Sequence, residues 1–147
     1  MQKINLAAVI TAIDGKRPVP GEFLNPEYQE LSEEKKKKTK INPRVHRDTT
    51  LRDCLVQMLS LELPLQGNKE LFWINSLGCL FSDDTKTEVE ISDDKAKFLQ
   101  RIVLDNKHQI KEVDPATGRV ITKDSKIFSP TFIRAKVLEL IGGKEEE

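Results

Sequence analysis

Two histidines, two cysteines and several paired carboxylates are the side chains of this 147-residue sequence that could do chemistry. His46 lies between Arg44 and Arg47 with Asp48 close by, the company a general base or a phosphate contact would keep. The simpler reading is a basic loop. His108 follows an expected helix end, where a cation favours the negative pole of the dipole. Neither histidine has an evident serine or cysteine nucleophile as partner. Asp83-Asp84 and Asp93-Asp94, with Glu88 and Glu90 between them, could attract a divalent cation. Their spacing is not that of a calcium loop, and no glycine takes the sharp-turn position. Helix capping and a solvated loop account for them. Cys54 and Cys79 share no ligand spacing with the histidines, so no zinc site is expected. Both sit among apolar residues and read as buried free thiols. Gly142-Gly143-Lys144 follows a helix instead of preceding one, the wrong end for cradling phosphate. No HExxH or GxSxG pattern occurs. The expectation is a protein that is not an enzyme, with no catalytic residue, metal ligand or cofactor.

The strongest chemical signal is electrostatic. Lys35, Lys36, Lys37, Lys38, Lys40, Arg44 and Arg47 place seven cations in 35–47 with no acid among them, and His46 lies in the same run. These eight residues are the candidate partner-binding set. Nucleic acid is one partner such a footprint could take. Against that, no aromatic residue interleaves it, and Glu27, Glu30, Glu33 and Glu34 just upstream weaken the local field. The whole chain carries 24 Lys plus Arg against 24 Asp plus Glu. Zero net charge argues against nonspecific coating of nucleic acid. A protein partner is the first expectation, and nucleic acid on the basic loop is an alternative.

Something must position these charges. Residues 4–13 are apolar and partly β-branched, and Asp14-Gly15 marks a tight turn before Pro18 and Pro20. Residues 1–20 are therefore expected to form a strand–turn–strand arm at an edge. Residues 21–48 hold an acidic block and then a basic one, and read as a charged flexible connector. Residues 49–143 read as the helical core. Thr50 with Asp53 makes a capping box, and Leu51, Cys54, Leu55, Met58 and Leu59 form one stripe over about 51–62. Trp73, Ile74, Leu77, Leu80 and Phe81 repeat it, with Gly78 expected to admit a neighbouring backbone. Residues 87–91 alternate like an edge strand. Ser92 caps a third helix bearing Phe98, Leu99, Ile102 and Val103, with Asn106 as its stop. Residues 110–122 carry a hairpin pattern around Asp114–Gly118. Ser129 and Pro130 read as N-cap and first position of a last helix, which Gly142 closes. Residues 144–147 are a tail.

The fold class is thus α+β, mainly helical. About four packed helices carry an N-terminal strand–turn–strand arm and a β-hairpin before the last helix. The 37% hydrophobic content suits one domain with a modest core. No run is long enough for a membrane span, and Met1–Leu6 lacks the start of a secretory leader. With only two cysteines, the expected setting is a reducing cytoplasm.

The apolar start ending in Asp14-Gly15-Lys16 leads to Thr50-Leu51-Arg52-Asp53-Cys54-Leu55-Val56 and a helix with Phe72-Trp73. Val89-Glu90-Ile91-Ser92-Asp93-Asp94 and a closing Ala135-Lys136-Val137-Leu138-Glu139-Leu140-Ile141 follow. This arrangement resembles a large group of short, uncharacterised proteins encoded by tailed bacteriophages and prophages. The 21–48 connector and the 110–122 hairpin depart from it. The resemblance implies no catalytic residues. It implies a phage or mobile-element protein in the cytoplasm of a host cell. The small neutral domain, the missing catalytic motifs and the charged loops make binding of another protein, as an inhibitor or adaptor of a host or phage complex, the first expectation. A virion-assembly role, as tail or capsid chaperone or structural component, is the alternative, and with it comes self-association as a homo-oligomer. Strand addition on the arm or the hairpin, or contact through the 21–48 loop, would carry the binding.

Overall fold

Apolar residues at offsets of three and four should become helix, and they do. The computed structural model describes residues 1–143. In chain order the elements are β1 (Gln2–Asn5), β2 (Pro20–Leu24), α1 (Pro26–Gln29), α2 (Glu33–Lys38), β3 (Arg44–Asp48), α3 (Leu51–Leu59), α4 (Asn68–Ser82), β4 (Glu88–Ile91), α5 (Asp93–Asp105), β5 (His108–Val113), β6 (Val120–Ser125) and α6 (Thr131–Leu140). The fold is α+β. The four expected helices are α3 to α6, and α1 and α2 add two short ones. Helix takes 40% and strand 24%, so a mainly helical reading with four helices holds only roughly. Among the described residues the strands form three separate antiparallel pairs, β1 with β4, β2 with β3 and β5 with β6. No helix among them is long and apolar enough to cross a membrane. The expected 144–147 tail lies outside the described residues.

The N-terminal segment differs most from its expectation. It is neither an arm nor an edge hairpin. β1 pairs with distant β4, Ile4 opposite Val89 and Gln2 opposite Ile91. Ile4, Leu6 and Ile10 are buried in the same cluster as the helical stripes. The physical reason lies in the first turn of α3, whose leading N–H groups have no partner within the helix. The N–H of Leu51 donates to the Ala8 carbonyl (2.8 Å), and that of Arg52 donates to the Leu6 carbonyl (3.1 Å). The Asp53 carboxylate accepts from the Thr50 N–H (2.9 Å) and hydroxyl (3.0 Å), completing the expected capping box. The Asp14-Gly15 turn is present, with Gly15 at φ 71°. It closes only an isolated bridge between Thr11 and Pro18.

The core is one cluster. α3 supplies Leu51, Cys54, Leu55, Met58 and Leu59, and α5 supplies Ala96, Phe98, Leu99, Ile102 and Val103. Leu77 and Phe81 enter from α4, Val89 and Ile91 from β4, and Val137 from α6, with Ile141 just after it. Each fully buried Leu or Phe stabilises the fold by roughly 1.5–3 kcal/mol before entropy is counted. α4 and α5 are further joined by Trp73 against Phe98, ring centroids 5.6 Å apart and tilted by 54°. Beside them Arg101 donates to both oxygens of Glu70, at 2.8 Å from Nη2 to Oε1.

Helix ends follow local chemistry. The Ser92 Oγ accepts from the Lys95 N–H (3.3 Å) to start α5. Asn106 ends it in the left-handed region at φ 51°. Gly142 at φ 89° closes α6, and the Gly143 N–H donates to the Leu138 carbonyl (2.8 Å), a Schellman closure. Three details correct the sequence reading. α6 starts at Thr131 with Pro130 as N-cap, because Pro130 has extended ψ (177°) and stays outside the helix. Gly78 meets nothing within 4 Å of where a Cβ would sit, so no backbone packs there. Cys54 is buried, but Cys79 is exposed on the outer side of α4.

Candidate functional site

Residues 20–48 carry regular structure where the sequence suggested a flexible connector. β2 and β3 pair antiparallel, with Pro20 opposite Asp48, Glu22 opposite His46 and Leu24 opposite Arg44. At their far end the Asn25 N–H donates to the Pro43 carbonyl (3.0 Å), and Asn25 Nδ2 donates to the Asn42 carbonyl (2.9 Å). The intervening chain is two short capped helices. Asn25 Oδ1 accepts from the Glu27 N–H (3.1 Å) with Pro26 at the start of α1. Ser32 Oγ accepts from the Lys35 N–H (3.4 Å) at the start of α2. Glu33 and Glu34 fill the first turn of α2 and Lys35–Lys38 the last, the order that its dipole favours. The charge blocks that suggested a flexible segment therefore support a helix.

No residue between 11 and 50 is buried. One side chain of β3 ties the arm to the first turn of α3. Arg47 Nη1 donates to Asp53 Oδ2 (2.7 Å) and Nη2 to Oδ1 (2.8 Å). Its guanidinium lies 3.9 Å from the centre of the Phe23 ring. Burial pushes the Asp53 carboxyl up, but the hydrogen bonds from Arg47 and Thr50, with the Arg47 charge, outweigh it and hold the group below the usual carboxylate range. The Asp53 hydrogen bond raises Arg47 in turn. Arg47, expected to meet a partner, pairs with Asp53 within the chain while its side chain stays 46% exposed. The sequence signal was the capping box, whose acid could recruit a nearby arginine.

The other candidates separate by exposure. Lys35, Lys37, Lys38 and Lys40 are exposed, as are Arg44 and His46 on β3. Lys36 is half-buried, 5.6 Å over the Tyr28 ring and 3.6 Å from Glu33. Lys35, Lys37, Lys38, Lys40 and Arg44 have no acidic partner among the described residues. Leu24 (56%) and Ile41 (37%) are exposed on the same arm. Beneath Leu24 and Arg44, a cleft of about 630 Å³ runs between the arm and α3, also lined by Phe23, Arg47, Arg52 and Gln57. Arg52 is spent inside the protein, donating to the Lys86 carbonyl and lying 3.9 Å from Asp84. Arg44 is the cation of the cleft with no ion pair among the described residues.

The residues that suggested chemistry stand apart. Among the described residues no three His, Cys, Asp or Glu side chains gather as a metal site. Asp83 holds the Thr85 N–H (3.0 Å) and hydroxyl (2.6 Å), and Asp93 lies 3.2 Å from the N-terminal ammonium. Burial, with the Asp53 charge, pushes the Cys54 thiol up to about 12, so little nucleophilic thiolate forms at neutral pH.

A second projection was legible as a hairpin but not as a free one. β5 and β6 pair from His108–Ser125 to Val113–Val120, wider than the expected 110–122. No residue from 107 to 127 is buried, and Val113 and Val120 are 66% and 65% exposed. Asn106 closes the neck, its Oδ1 accepting from the Phe128 N–H (2.7 Å) and its Nδ2 donating to the Phe128 carbonyl (3.0 Å). The molecule is thus a closed core with two ordered projections. No family model matches this chain, and comparison with curated proteins and with solved structures finds no match to it.

Proposed function

We propose that this chain is a nonenzymatic protein-binding module whose 20–48 arm engages an acidic surface on its partner. One observation carries the reading. The arm adds no buried residue, yet it is structured, pinned through Arg47, and displays five cations with no acidic partner among the described residues beside exposed Leu24 and Ile41. Ordering such a segment costs conformational entropy that the core does not repay, so its retention points to a surface role. Leu24 and Ile41 supply apolar anchors and the lysines steer the encounter, a division of labour common at protein interfaces. The resemblance of the caps and stripes to phage and prophage proteins supplies the setting, an inhibitor or adaptor acting on a host or phage complex in the cytoplasm.

The test is affinity capture with three baits: wild type, a variant with Leu24 joined to Arg44 by Asn-Gly, and K35E/K37E/K38E. A protein held by wild type and lost by both variants supports the reading. Undiminished capture by the arm-less variant overturns it.

The same cations favour a second reading, nucleic-acid binding. It expects retardation of a DNA or RNA fragment at low salt, falling steeply as salt rises. No retardation at low salt removes it. The arm's two aromatic rings are already covered, Tyr28 by Lys36 and Phe23 by Arg47, which leaves less of each free for base stacking.

A further inference from the structure

We infer that the outward face of α4 is a self-association surface, on which two copies of this chain pair through antiparallel α4 helices about a two-fold axis near Ser76.

The chain is 33% charged, yet residues 71–82 contain no charged side chain. Helical spacing divides this run into two faces. Leu77 and Phe81 are buried and Trp73, Ile74 and Leu80 pack partly against the core. The opposite face holds Leu71, Phe72, Asn75, Ser76, Cys79 and Ser82, all exposed. Phe72 is 73% exposed and Leu71 58%. A solvated helix face normally carries charge. A side of this length with none, and with a bare phenylalanine and leucine near one end, is built to be covered.

The charges at its two ends say by what. Lys69 and Glu70 precede the uncharged run, and Asp83 and Asp84 follow it. Glu70 is held by Arg101, which leaves Lys69, its Nζ 4.9 Å over the Trp73 ring, as the charge at that end without an ion pair among the described residues. Lys69, Phe72, Ser76, Cys79 and Asp83 fall on one stripe of the helix, three and four residues apart. A second copy laid antiparallel on this stripe sets the Lys69 end of each helix against the Asp83–Asp84 end of the other. Parallel pairing would set like charges together at both ends. The antiparallel match is isologous, as a two-fold dimer requires. Position 76 is equidistant from 69 and 83, which places the axis there. Asp84 is 95% exposed and lies 3.9 Å from Arg52, a loose pair that leaves its carboxylate open to a second cation. Zero net charge means that two copies do not repel one another as wholes. A single helix face is a small interface, so the dimer is weak and concentration-dependent.

The test is analytical ultracentrifugation of the full chain from micromolar to millimolar concentration. The expected result is a mass that climbs from 16.8 kDa toward twice that value. Phe72→Asp should raise the dissociation constant at least tenfold with unchanged circular dichroism. Lys69→Glu should weaken pairing, and adding D83K/D84K should restore it. Ser76→Cys in a Cys79→Ser background then reads the register without relying on a disruptive variant. Under mild oxidation it should link two copies, because only residues near the axis bring their Cα atoms within disulfide reach. A wild type that stays monomeric throughout overturns the proposal, and so does Phe72→Asp that pairs as well as wild type. Linkage through Cys79 in wild type with none through Ser76→Cys overturns the antiparallel register.

Discussion

Arg47 shows how one side chain changes role between sequence and structure. In sequence it is one cation in a basic run, while in the fold it is a bidentate partner of Asp53 and a lid on Phe23. Asp53→Ala removes an N-terminal cap contact worth about 1 kcal/mol and the Arg47 pair worth about 1 more, so unfolding in urea should register a loss of roughly 2 kcal/mol. Arg47→Ala should lose only the second part and free the arm. The sign of the pH dependence follows from the lowered Asp53 carboxyl. Its contribution is fully present above the ordinary carboxylate value near 3.9 and is lost as pH falls through the lowered folded-state value. Wild type and Asp53→Asn should therefore converge in stability on acidification and diverge toward neutrality, measured by thermal melts across that range. Asn106 makes a second residue-scale case, because its amide alone satisfies both backbone groups of Phe128. Asn106→Gly keeps the left-handed backbone but strands those groups, at a cost of about 1–3 kcal/mol. Asn106→Ala should lose more, since alanine also strains at φ 51°.

At the scale of elements, the arm and the core are separable. Leu24 and Arg44 are paired neighbours at the arm's far end, so a two-residue Asn-Gly turn can join them directly. Replacing 25–43 in this way should leave the thermal midpoint within about 4 °C of wild type, the shift that roughly 1 kcal/mol makes. A collapse of the midpoint would show the arm to be structural. The N-terminal segment is the opposite case. It looked like an appendage, yet its carbonyls cap α3 and its side chains fill the core. Deleting residues 1–10 should abolish cooperative unfolding, as read by calorimetry, because Ile4, Leu6 and Ile10 leave together with the acceptors of the α3 N–H groups.

Across the whole molecule, the residues that fill the core and those of the two exposed projections are different. Buried side chains come from 4–10, 51–106 and 128–141, and the two projections contribute none. Leu55→Ala should cost roughly 2–5 kcal/mol, the range for a fully buried leucine. Val113→Thr on the β5–β6 ribbon should stay within about 0.5 kcal/mol, as exposed changes do. Denaturation midpoints of the two variants measure the division directly.

The sequence by itself determined the four main helices, most of their caps and the hairpin. It also located the basic segment from which the candidate site is drawn. The helices and caps depend on contacts three or four residues apart and the hairpin on one short turn between consecutive strands, so the signal and its cause lie in one short window. Only the tertiary structure decided that β1 pairs with β4, that Arg47 pairs with Asp53, that 20–48 is a structured arm, and that Cys79 and Phe72 face outward. Each of these depends on which surfaces remain uncovered once distant stripes have closed on one another. Periodicity cannot report that, because an apolar residue follows the same spacing whether the face it occupies meets the core of its own chain or another surface.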